Sequence, residues 1–363
     1  MKVKLSEVSS GFTKNIAQKD LDNNNGCYPI YGASGYIKNI NFYISDKPYI
    51  GIVKDGSGVG RVNIYPAYSS LLGTMQYVVP NDNMDIAYLM YALRYMKLGS
   101  LYSGAAIPHI YYKNYQRNEL NYREKNEQKS ISTQLTQIEN AILVCNAKII
   151  ALDELVKSRF IEMFVEKGFK EITFSDYAEI IDGDRGKNYP KAEEFSDEGY
   201  CLFLSAKNVT KDGFLFEQMQ FISEEKDNLL RKGKLCRGDI VITTRGTIGN
   251  IAFYDDDIPY DNVRINSGMV IIRQKEVSFN QIFFLNAFKN KIDEIKETNV
   301  TGAAQPQLPI HIMSKIKLLN PPIELQNEFA DFVKLIDKSK FIVQKQIDDL
   351  QELLDSKMDE YFG

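Results

Sequence analysis

The chain has 363 residues, of which 44% are hydrophobic and 25% are charged, values typical of a folded globular protein. This length is too great for one typical domain and predicts two or three units with separate cores. The formal net charge is −4, so the overall charge gives no support for binding to a polyanion such as DNA. Such binding would need local basic patches or positively charged partner subunits.

The N-terminus and the cysteines indicate the cellular compartment in which the protein works. The first residues contain no apolar run long enough for a signal peptide, and we expect no stretch near the roughly 20 apolar residues of a membrane span. Cys27, Cys145, Cys201 and Cys236 lack C-x-x-C spacing, which argues against a disulfide framework or a cysteine zinc site. These features predict a cytoplasmic protein with reduced thiols and no membrane contact.

Residues 1–125 are predicted to form a first mixed α/β domain, and only this globular section is basic, with 14 Lys and Arg against 9 Asp and Glu. A β-rich run at 49–53 precedes a glycine-rich turn at 54–61, and residues 85–98 have helical spacing. The glycines of the turn lack the spacing of a nucleotide-binding loop, so we expect a hairpin there. Gly104 and Pro108 mark the junction with the following helix.

Residues 126–164 are predicted to form a long coiled-coil helix. Apolar residues recur along it in alternating steps of four and three, a heptad seam sustained for nearly four heptads. The seam positions are Ile131, Leu135, Ile138, Ile142, Cys145, Ile149, Leu152 and Val156.

Residues 165–323 are predicted to form a second mixed α/β domain. A β-rich run at 239–243 leads into a turn at 243–250, residues 280–298 have helical spacing, and Gly302 and Pro306 mark the junction. The segment Asn320-Pro321-Pro322-Ile323 is similar to the base-holding loop of amino-methyltransferases, but Ile323 replaces the stacking aromatic. Its prolines instead favour the start of a helix.

Residues 324–363 are predicted to form a second coiled-coil helix. Its seam is interrupted by one charged residue, Lys340, and a charge at such a position usually fixes register or partner choice. The seam positions are Phe329, Val333, Ile336, Lys340, Val343, Ile347, Leu350 and Leu354.

The two halves of the chain repeat. The segment Ser-Gly-Ala-Ala-Ile-Pro at 103–108 matches Thr-Gly-Ala-Ala-Gln-Pro at 301–306, an offset of 198 residues. The offset continues without a gap and matches Gln128 with Gln326 and Phe164 with Phe362. Because one such helix alone leaves its apolar stripe exposed, we expect the two helices to cover each other, with homodimerisation through the seam as the alternative.

Direct reading of DNA bases requires polar side chains on rigid turns that can enter a groove. The turns at 54–61 and 243–250 occupy related places in the two halves, and an ordinary solvated hairpin is the alternative for each. The candidate DNA-binding residues are Tyr36, Lys54, Ser57, Arg61, Lys113, Lys207, Asn208, Thr243, Thr244, Arg245, Thr247 and Arg264.

No catalytic or metal-binding constellation is predicted. His109 and His311 are the only histidines, and both follow a proline near the Gly-Ala-Ala motif, which favours a structural role. The sequence contains neither H-E-x-x-H nor a Walker P-loop.

The chain resembles the specificity subunits of type I restriction-modification enzymes over essentially its whole length. The resemblance is carried by the two-unit layout, the Gly-Ala-Ala-x-Pro segments, Gln128 and Gln326 at the helix starts, and the heptad helices that end at Phe164 and Phe362. It implies two target recognition domains in tandem, each followed by a long helix. The helices would pair as an antiparallel intramolecular coiled coil with pseudo-twofold symmetry.

The resemblance also implies the function. Each domain would read one half of a bipartite site in double-stranded DNA, and the coiled coil would set the spacer and bind two modification subunits. Those subunits would supply S-adenosylmethionine, and restriction subunits would supply ATP and Mg, so this chain would hold no cofactor. The alternatives are a type IIB-like specificity subunit, a coiled-coil interaction scaffold that does not bind DNA, and, least favoured, a lone methyltransferase.

Overall fold

The structure, a computed structural model, describes residues 1–101, 108–245, 248–275, 279–299 and 308–363. The chain forms two compact units. The first comprises Met1–Lys148 together with Val343–Gly363, and the second comprises Ile149–Ile342. The unit boundaries therefore lie inside the two long helices, whereas the boundaries predicted from sequence set each helix apart as a segment of its own.

The first unit contains nine strands and shorter helices in the residues described. Its strands are β1 (Lys2–Lys4), β2 (Ser9–Phe12), β3 (Tyr28–Gly32), β4 (Gly35–Ile40), β5 (Tyr49–Val53), β6 (Val62–Tyr65), β7 (Ser70–Leu71), β8 (Met75–Pro80) and β9 (Glu119–Asn121). Its helices are α1 (Leu5–Val8), α2 (Ile86–Tyr95) and α3 (Tyr112–Tyr115), with 3-10 turns at Gln18–Leu21 and Leu98–Ser100.

The long helix α4 (Lys125–Phe160) begins in the first unit and continues into the second as far as a π-helical turn at Ile161–Val165. The strands of the second unit are β10 (Glu171–Thr173), β11 (Ala178–Asp182), β12 (Cys201–Leu204), β13 (Val209–Thr210), β14 (Gly213–Phe214), β15 (Phe221–Ile222), β16 (Asp239–Thr243), β17 (Ile251–Tyr254), β18 (Val263–Ile265), β19 (Met269–Gln274) and β20 (Lys317–Leu319). Its helices are α5 (Phe174–Tyr177), α6 (Glu224–Leu229), α7 (Gln281–Asn299) and α8 (Ile310–Met313), with 3-10 turns at Ala192–Glu194 and Ala206–Asn208, and the last long helix is α9 (Ile323–Phe362).

The two units share one sheet topology. The first has a four-stranded sheet in the order β2-β8-β5-β6, and the second has the equivalent sheet β11-β19-β16-β17. Each also has a smaller sheet with one parallel pair, β3 with β7 and β12 with β18. An antiparallel pair, β1 with β9 or β10 with β20, joins the start of each domain to its end. The sequence repeat is thus a repeat of structure.

Buried strands and one helix form the core of each unit. Strand β5 is buried at every position, as is β16, which explains why both read as continuous apolar runs rather than alternating ones. Helix α2 packs against the first of these sheets with Tyr88, Leu89 and Leu93 fully buried. In the second unit Phe283, Phe284 and Phe288 of α7 take the same role.

The long helices pair within each unit, as their seams predicted, and they do so antiparallel, as the family resemblance implied. In the first unit, Tyr361 of α9 donates a hydrogen bond to Gln134 of α4 at 2.9 Å. In the second, Lys340 contacts Asp153 at 2.5 Å and Arg159 contacts Glu328 at 3.2 Å. Every predicted seam residue is buried or half-buried. The seam charge Lys340 is satisfied by Asp153 across the helix pair, as expected of a residue that fixes register.

One expectation about hydropathy was wrong. The helical segment Lys125–Val165 is long and apolar enough, by length and composition only, to cross a membrane. The reason is that α4 carries apolar residues beyond its seam, including Leu143, Val144 and Ile150, and all three are exposed.

Candidate nucleic-acid interface

The two predicted turns join equivalent strands. The turn at 54–61 connects the paired strands β5 and β6, and the turn at 244–250 connects β16 and β17. Each is closed by the same hydrogen bond at 2.8 Å: Gly60 N to Val53 O in the first unit and Gly249 N to Thr243 O in the second. These turns therefore occupy equivalent places, and the hairpin predicted at 54–61 is confirmed.

Both turns require glycine at the closing position. Gly60 and Gly249 have φ values of 84° and 73°, in the left-handed region that other residues rarely adopt. A Cβ on Gly60 would lie 2.1 Å from Gly99 N, and one on Gly249 would lie 2.1 Å from Lys296 Cε. A residue with a side chain would therefore be strained at either closing position, so glycine preserves the hydrogen bond that closes each turn.

A second hydrogen bond recurs beside each turn. Ile110 N donates to Lys54 O at 2.9 Å, and Leu308 N donates to Thr244 O at 3.3 Å. These donors lie two residues beyond the prolines of the repeated Gly-Ala-Ala-x-Pro segments. Pro108 itself accepts a hydrogen bond from Gly56 N at 3.1 Å. Gly104, Gly302 and Pro306 lie outside the described residues.

The turn of the first unit is stiffened by ion pairing. Lys54 is buried and bonds to the carboxylate of Asp55, whose other oxygen lies 2.7 Å from Nδ1 of His109. Burial alone would raise the pKa of Asp55, but the hydrogen bonds from Lys54 and His109 outweigh it and hold that pKa below its usual value. Asp55 therefore stays charged at neutral pH, and His109 has the structural role that its sequence context favoured.

In the first unit, Arg61, Ser57 and Tyr36 are exposed. Nη1 of Arg61 donates to Ala33 O at 3.0 Å, in the tight turn that precedes Tyr36. Arg61 and Tyr36 thus lie on neighbouring turns although they are far apart in sequence. Lys113 is also exposed and lies 5.7 Å from the ring of Tyr111, while Lys54 lies 5.6 Å from the same ring. Among these two lysines only Lys113 is exposed, and it lies beside the exposed ring of Tyr111.

In the second unit the threonines of the turn point inward. Thr243 is fully buried and its hydroxyl accepts from Asn250 N at 3.0 Å, while the hydroxyl of Thr244 donates to Gly268 O at 3.0 Å. These side chains hold the turn in place. Arg245 is exposed and extends from it. Thr247 lies outside the described residues.

A neighbouring turn carries Lys207 and Asn208. The amide of Asn208 is buried, accepts from Ser205 N at 2.9 Å and donates to Leu215 O at 3.0 Å, so it holds the turn together from inside. Lys207 remains exposed. Asn250 donates from its side chain to Val209 O at 3.0 Å and links this turn to the one that carries Arg245.

Arg264 differs most from the sequence expectation. It was predicted to face DNA, but it is buried, bonds to the carboxylate of Asp227 and donates to the carbonyls of Lys232 and Leu230 at 2.8 and 3.1 Å. Burial would raise the pKa of Asp227, yet Lys234 and Arg264 together lower it. The pair is a structural element, because a buried guanidinium with its donors engaged is not free to contact a base.

One exposed arginine was missed by sequence reasoning. Arg185 donates to Ser267 O at 3.3 Å and pairs with Asp182 at 3.1 Å, beside the Gly268 carbonyl that holds Thr244. Its signal in the sequence was the turn Gly183-Asp184-Arg185-Gly186. The pKa of Asp184 in that turn is lowered by the hydrogen bond from Gly186 N.

The sequence profile described as "Type I restriction modification DNA specificity domain" matches residues 1–154 and 166–352. The chain belongs to this family. Among curated proteins, the specificity subunit of the type I restriction enzyme MjaVIII of Methanocaldococcus jannaschii is 26% identical, over 88% of this chain and 80% of that protein. The putative MjaX specificity subunit of the same organism is 23% identical, over 81% and 72% of the two chains.

Solved structures of the specificity family share the fold. The type I restriction-modification S subunit of M. genitalium superposes with a TM-score of 0.56 at 18% identity and covers 100% of this chain and 96% of its own. A chain from a study of complex assembly and conformational transition of the type I system superposes with a TM-score of 0.58 at 11% identity, over 99% and 97% of the two chains. The predicted fold class, mixed α/β domains in tandem with long pairing helices, is confirmed.

The specificity-family chain shows no group of three or more His, Cys, Asp and Glu side chains suited to a metal ion among the residues that the structure describes. The four cysteines are free thiols, and Cys201 is buried. The described surface exposes arginine, lysine, serine and tyrosine side chains, which can donate hydrogen bonds to a ligand.

Proposed function

We propose that the chain is the DNA-recognition subunit of a type I restriction-modification complex, and that each unit reads one half of a bipartite site without catalysing a reaction. The observation that carries this proposal is the pair of equivalent glycine-closed turns, one per unit, each with an exposed arginine beside it. Arginine is the commonest reader of guanine and a strong ligand of phosphate, so these turns suit a DNA groove.

The difference between the two turns supports two different half-sites. Arg61 and Ser57 extend from the first turn, with Tyr36 on the neighbouring one, whereas Arg245 extends from the second, with Lys207 on its neighbour. Equivalent flanking strands that carry different turn side chains would hold the two reading elements in similar positions while the preferred bases differ. The paired long helices would set the spacer, and linking two modest half-site affinities rigidly gives one larger effective affinity.

The partners would be two modification subunits, which supply S-adenosylmethionine, and restriction subunits, which supply ATP and Mg. In that division of labour this chain holds none of these cofactors. Its acidic net charge of −4 is consistent with a protein whose partners complete the positive surface around DNA. A cytoplasmic location follows from the same role.

The decisive experiment is adenine-methylation mapping of host genomic DNA with the gene intact and deleted. We expect one bipartite methylated motif to disappear on deletion, and its two halves and spacer to be read from the same data. The chain should co-purify with the modification subunit from the intact host.

Other outcomes would assign the chain differently. Loss of a motif together with cleavage on both sides of the site would support the type IIB-like alternative. If no motif disappeared and the chain did not retain DNA together with a modification subunit, the recognition function would be wrong and the scaffold alternative would stand.

A further inference from the structure

In the first unit, Arg94 of α2 joins that helix to α4. Its Nη1 donates to Oε1 of Glu139 at 2.7 Å, and its Nη2 donates to the side-chain oxygen of Asn63 at 3.2 Å. Tyr91, one turn earlier on α2, donates to the other carboxylate oxygen of Glu139 at 2.8 Å. Four side chains thus fill the space between α2, β6 and α4 and connect these elements.

Helix α7 is the counterpart of α2 in the second unit. Asn280 N donates to Gln326 as Asp85 N donates to Gln128, at 2.8 and 2.7 Å, so the two helices align with Asn280 on Asp85. The 198-residue repeat aligns α9 with α4, and the strand pairs β16-β17 and β5-β6 have equivalent registers. The counterparts of Asn63, Tyr91, Arg94 and Glu139 are therefore Ala252, Asn286, Lys289 and Asp337.

All four counterparts are smaller or shorter side chains, and they do not make the same connection. The amide of Asn286 donates to a carbonyl of its own helix at 2.8 Å instead of bonding to α9. In the part of the chain that the structure describes, Lys289 forms no ion pair with Asp337. The ammonium of Lys340, 4.0 Å from Asp337, is held by Asp153 at 2.5 Å.

A pocket of about 830 Å³ lies at this place in the second unit, and all four counterparts line it. The volume falls in the range of roughly 300–1,000 Å³ that small-molecule sites occupy. Phe214, Phe253 and Leu285 contribute apolar walls. Among the lining residues seven are acidic and three are lysines, so the pocket disfavours a ligand that carries only negative charge.

Lys289 is half-buried in this pocket. Burial lowers the pKa of Lys289, and the charge of Lys340 lowers it further. A carboxylate bound beside Lys289 would compensate the half-buried ammonium by a charge-assisted hydrogen bond. Asp337 could accept a hydrogen bond from a cationic group of the same ligand. The two charges therefore suit a ligand that has one charge of each sign.

We propose that this pocket binds a small zwitterion, an α-amino acid with an aromatic side chain. The carboxylate of the amino acid pairs with Lys289, its ammonium pairs with Asp337, and its ring packs against Phe214 and Phe253. The ligand thereby connects α7 to α9, as Arg94 connects α2 to α4 in the first unit. Binding at this pocket requires no DNA.

The test is isothermal titration calorimetry of the whole chain with three matched probes. L-phenylalanine carries both charges, phenethylamine lacks the carboxylate, and hydrocinnamate lacks the ammonium. We expect L-phenylalanine to bind once per chain with a Kd on the order of 100 μM, and the other two probes to bind at least about 10-fold more weakly. The melting temperature should rise with the concentration of L-phenylalanine. Equal affinity for all three probes, or binding of none, would overturn the proposal.

Two variants locate the site. Lys289→Gln should weaken L-phenylalanine by at least about 10-fold and leave phenethylamine unchanged, because only the carboxylate meets Lys289. Lys291→Gln, on the same helix but outside the pocket lining, is the matched control. Wild-type affinity for L-phenylalanine in Lys289→Gln would show that the ligand does not meet this lysine and would overturn the proposal.

The triple variant N286Y/K289R/D337E introduces the side chains of the first unit into the second. We expect it to abolish binding of L-phenylalanine without lowering the melting temperature, because the new side chains fill the pocket themselves. A folded triple variant that binds with the wild-type Kd would place the site elsewhere. Methylation mapping tests DNA recognition separately, so failure of the ligand site leaves the specificity function intact.

Discussion

Oε1 of Gln128 accepts a hydrogen bond from the backbone N of Asp85 at 2.7 Å, and so ties the start of α4 to the start of α2. The other end of the same amide donates to the carbonyls of Asn83 and Arg123 at 3.2 and 2.8 Å. In the second unit Gln326 repeats the arrangement, accepting from Asn280 N at 2.8 Å and donating to Pro321 O at 2.9 Å. Both glutamines are buried.

We expect Gln128→Ala to lower the free energy of unfolding by about 1–3 kcal/mol, because it leaves buried backbone groups without partners. Gln128→Glu should also destabilise, since a carboxylate cannot donate to the two carbonyls. Chemical denaturation followed by circular dichroism measures both. Gln137→Ala, on the exposed side of the same helix, is the control, and an equal loss there would contradict the assignment.

Phe164 and Phe362 occupy repeat-equivalent positions with different surroundings. Phe164 is fully buried and its ring packs against Phe160, Phe283 and Phe329 at 4.8–5.5 Å. Phe362 packs against Tyr88 at 5.0 Å. We expect Phe164→Ala to cost about 3–5 kcal/mol and Phe362→Ala to cost less, because the latter side chain is nearer the surface. Equal losses in calorimetry would mean that the two ring clusters do not differ in energy.

The two exposed arginines should act on different half-sites. We expect Arg61→Ala to weaken or relax recognition of one half of the methylated motif and Arg245→Ala to affect the other, each by about 1–3 kcal/mol if the arginine contacts a base. Methylation mapping of complemented deletion strains measures this. Lys2→Ala and Lys315→Ala are exposed controls, one in each unit. If both arginine variants altered the same half, the assignment of one half-site to each unit would be wrong.

The buried pair of Arg264 and Asp227 gives a prediction about pH. The folded-state pKa of Asp227 lies below its usual value, so the pair stabilises the protein above about pH 4, and this contribution is lost as the pH falls through the folded pKa. Arg264→Ala should cost about 3–5 kcal/mol at neutral pH, since it leaves a buried carboxylate with Lys234 alone.

The cost of Arg264→Ala should shrink in acid, where Asp227 accepts a proton in the variant. Denaturation series between pH 3 and 7, on the order of one unit apart, follow the difference between the two proteins. Lys334→Ala, whose lysine pairs with the exposed Asp331 at 3.0 Å, is the surface control. A difference that stays constant with pH would mean that Asp227 is not the group involved.

The cysteines should differ in how fast their thiols react with an alkylating reagent. Burial raises the pKa of Cys201 to about 12, so its thiolate is scarce at neutral pH as well as inaccessible. Cys27 and Cys236 are exposed. We expect iodoacetamide to modify these two in the folded chain and Cys201 only after denaturation, as measured by peptide mass spectrometry. Rapid labelling of Cys201 without denaturant would show that the second unit opens readily.

Patterns with a fixed period were predictable from the sequence. The heptad seams gave the long helices to within a few residues, and the 198-residue repeat gave the two-unit architecture. Thr243, Asn208 and Arg264 show where this reasoning fails. A polar side chain on a turn is the same in sequence whether it faces solvent or bonds to the backbone beneath it. Only the three-dimensional positions of Asn250, Leu215 and Asp227 decide between these cases.

Arg185 shows a second limit of sequence reasoning, an exposed residue near the turn that no local pattern identifies. It lies about 60 residues from Arg245 in sequence, and nothing in the local pattern connects the two arginines. The two arginines are related in space through adjacent residues. The carbonyl of Gly268 accepts from the hydroxyl of Thr244, next to Arg245, and the carbonyl of Ser267 accepts from Arg185. Contacts of this kind join loops that are distant in sequence and that the folded sheet brings together.

The first unit includes the last 21 residues of the chain, Val343–Gly363, whereas the second is the continuous stretch Ile149–Ile342. On a ribosome, the second unit is therefore complete in sequence before the first, although its synthesis begins later. Until Phe362 has emerged, the nascent first unit has an unfilled place beside Tyr88 in its core. Loss of residues 343–363 would thus damage a unit whose other residues, 1–148, lie almost 200 residues earlier in the sequence.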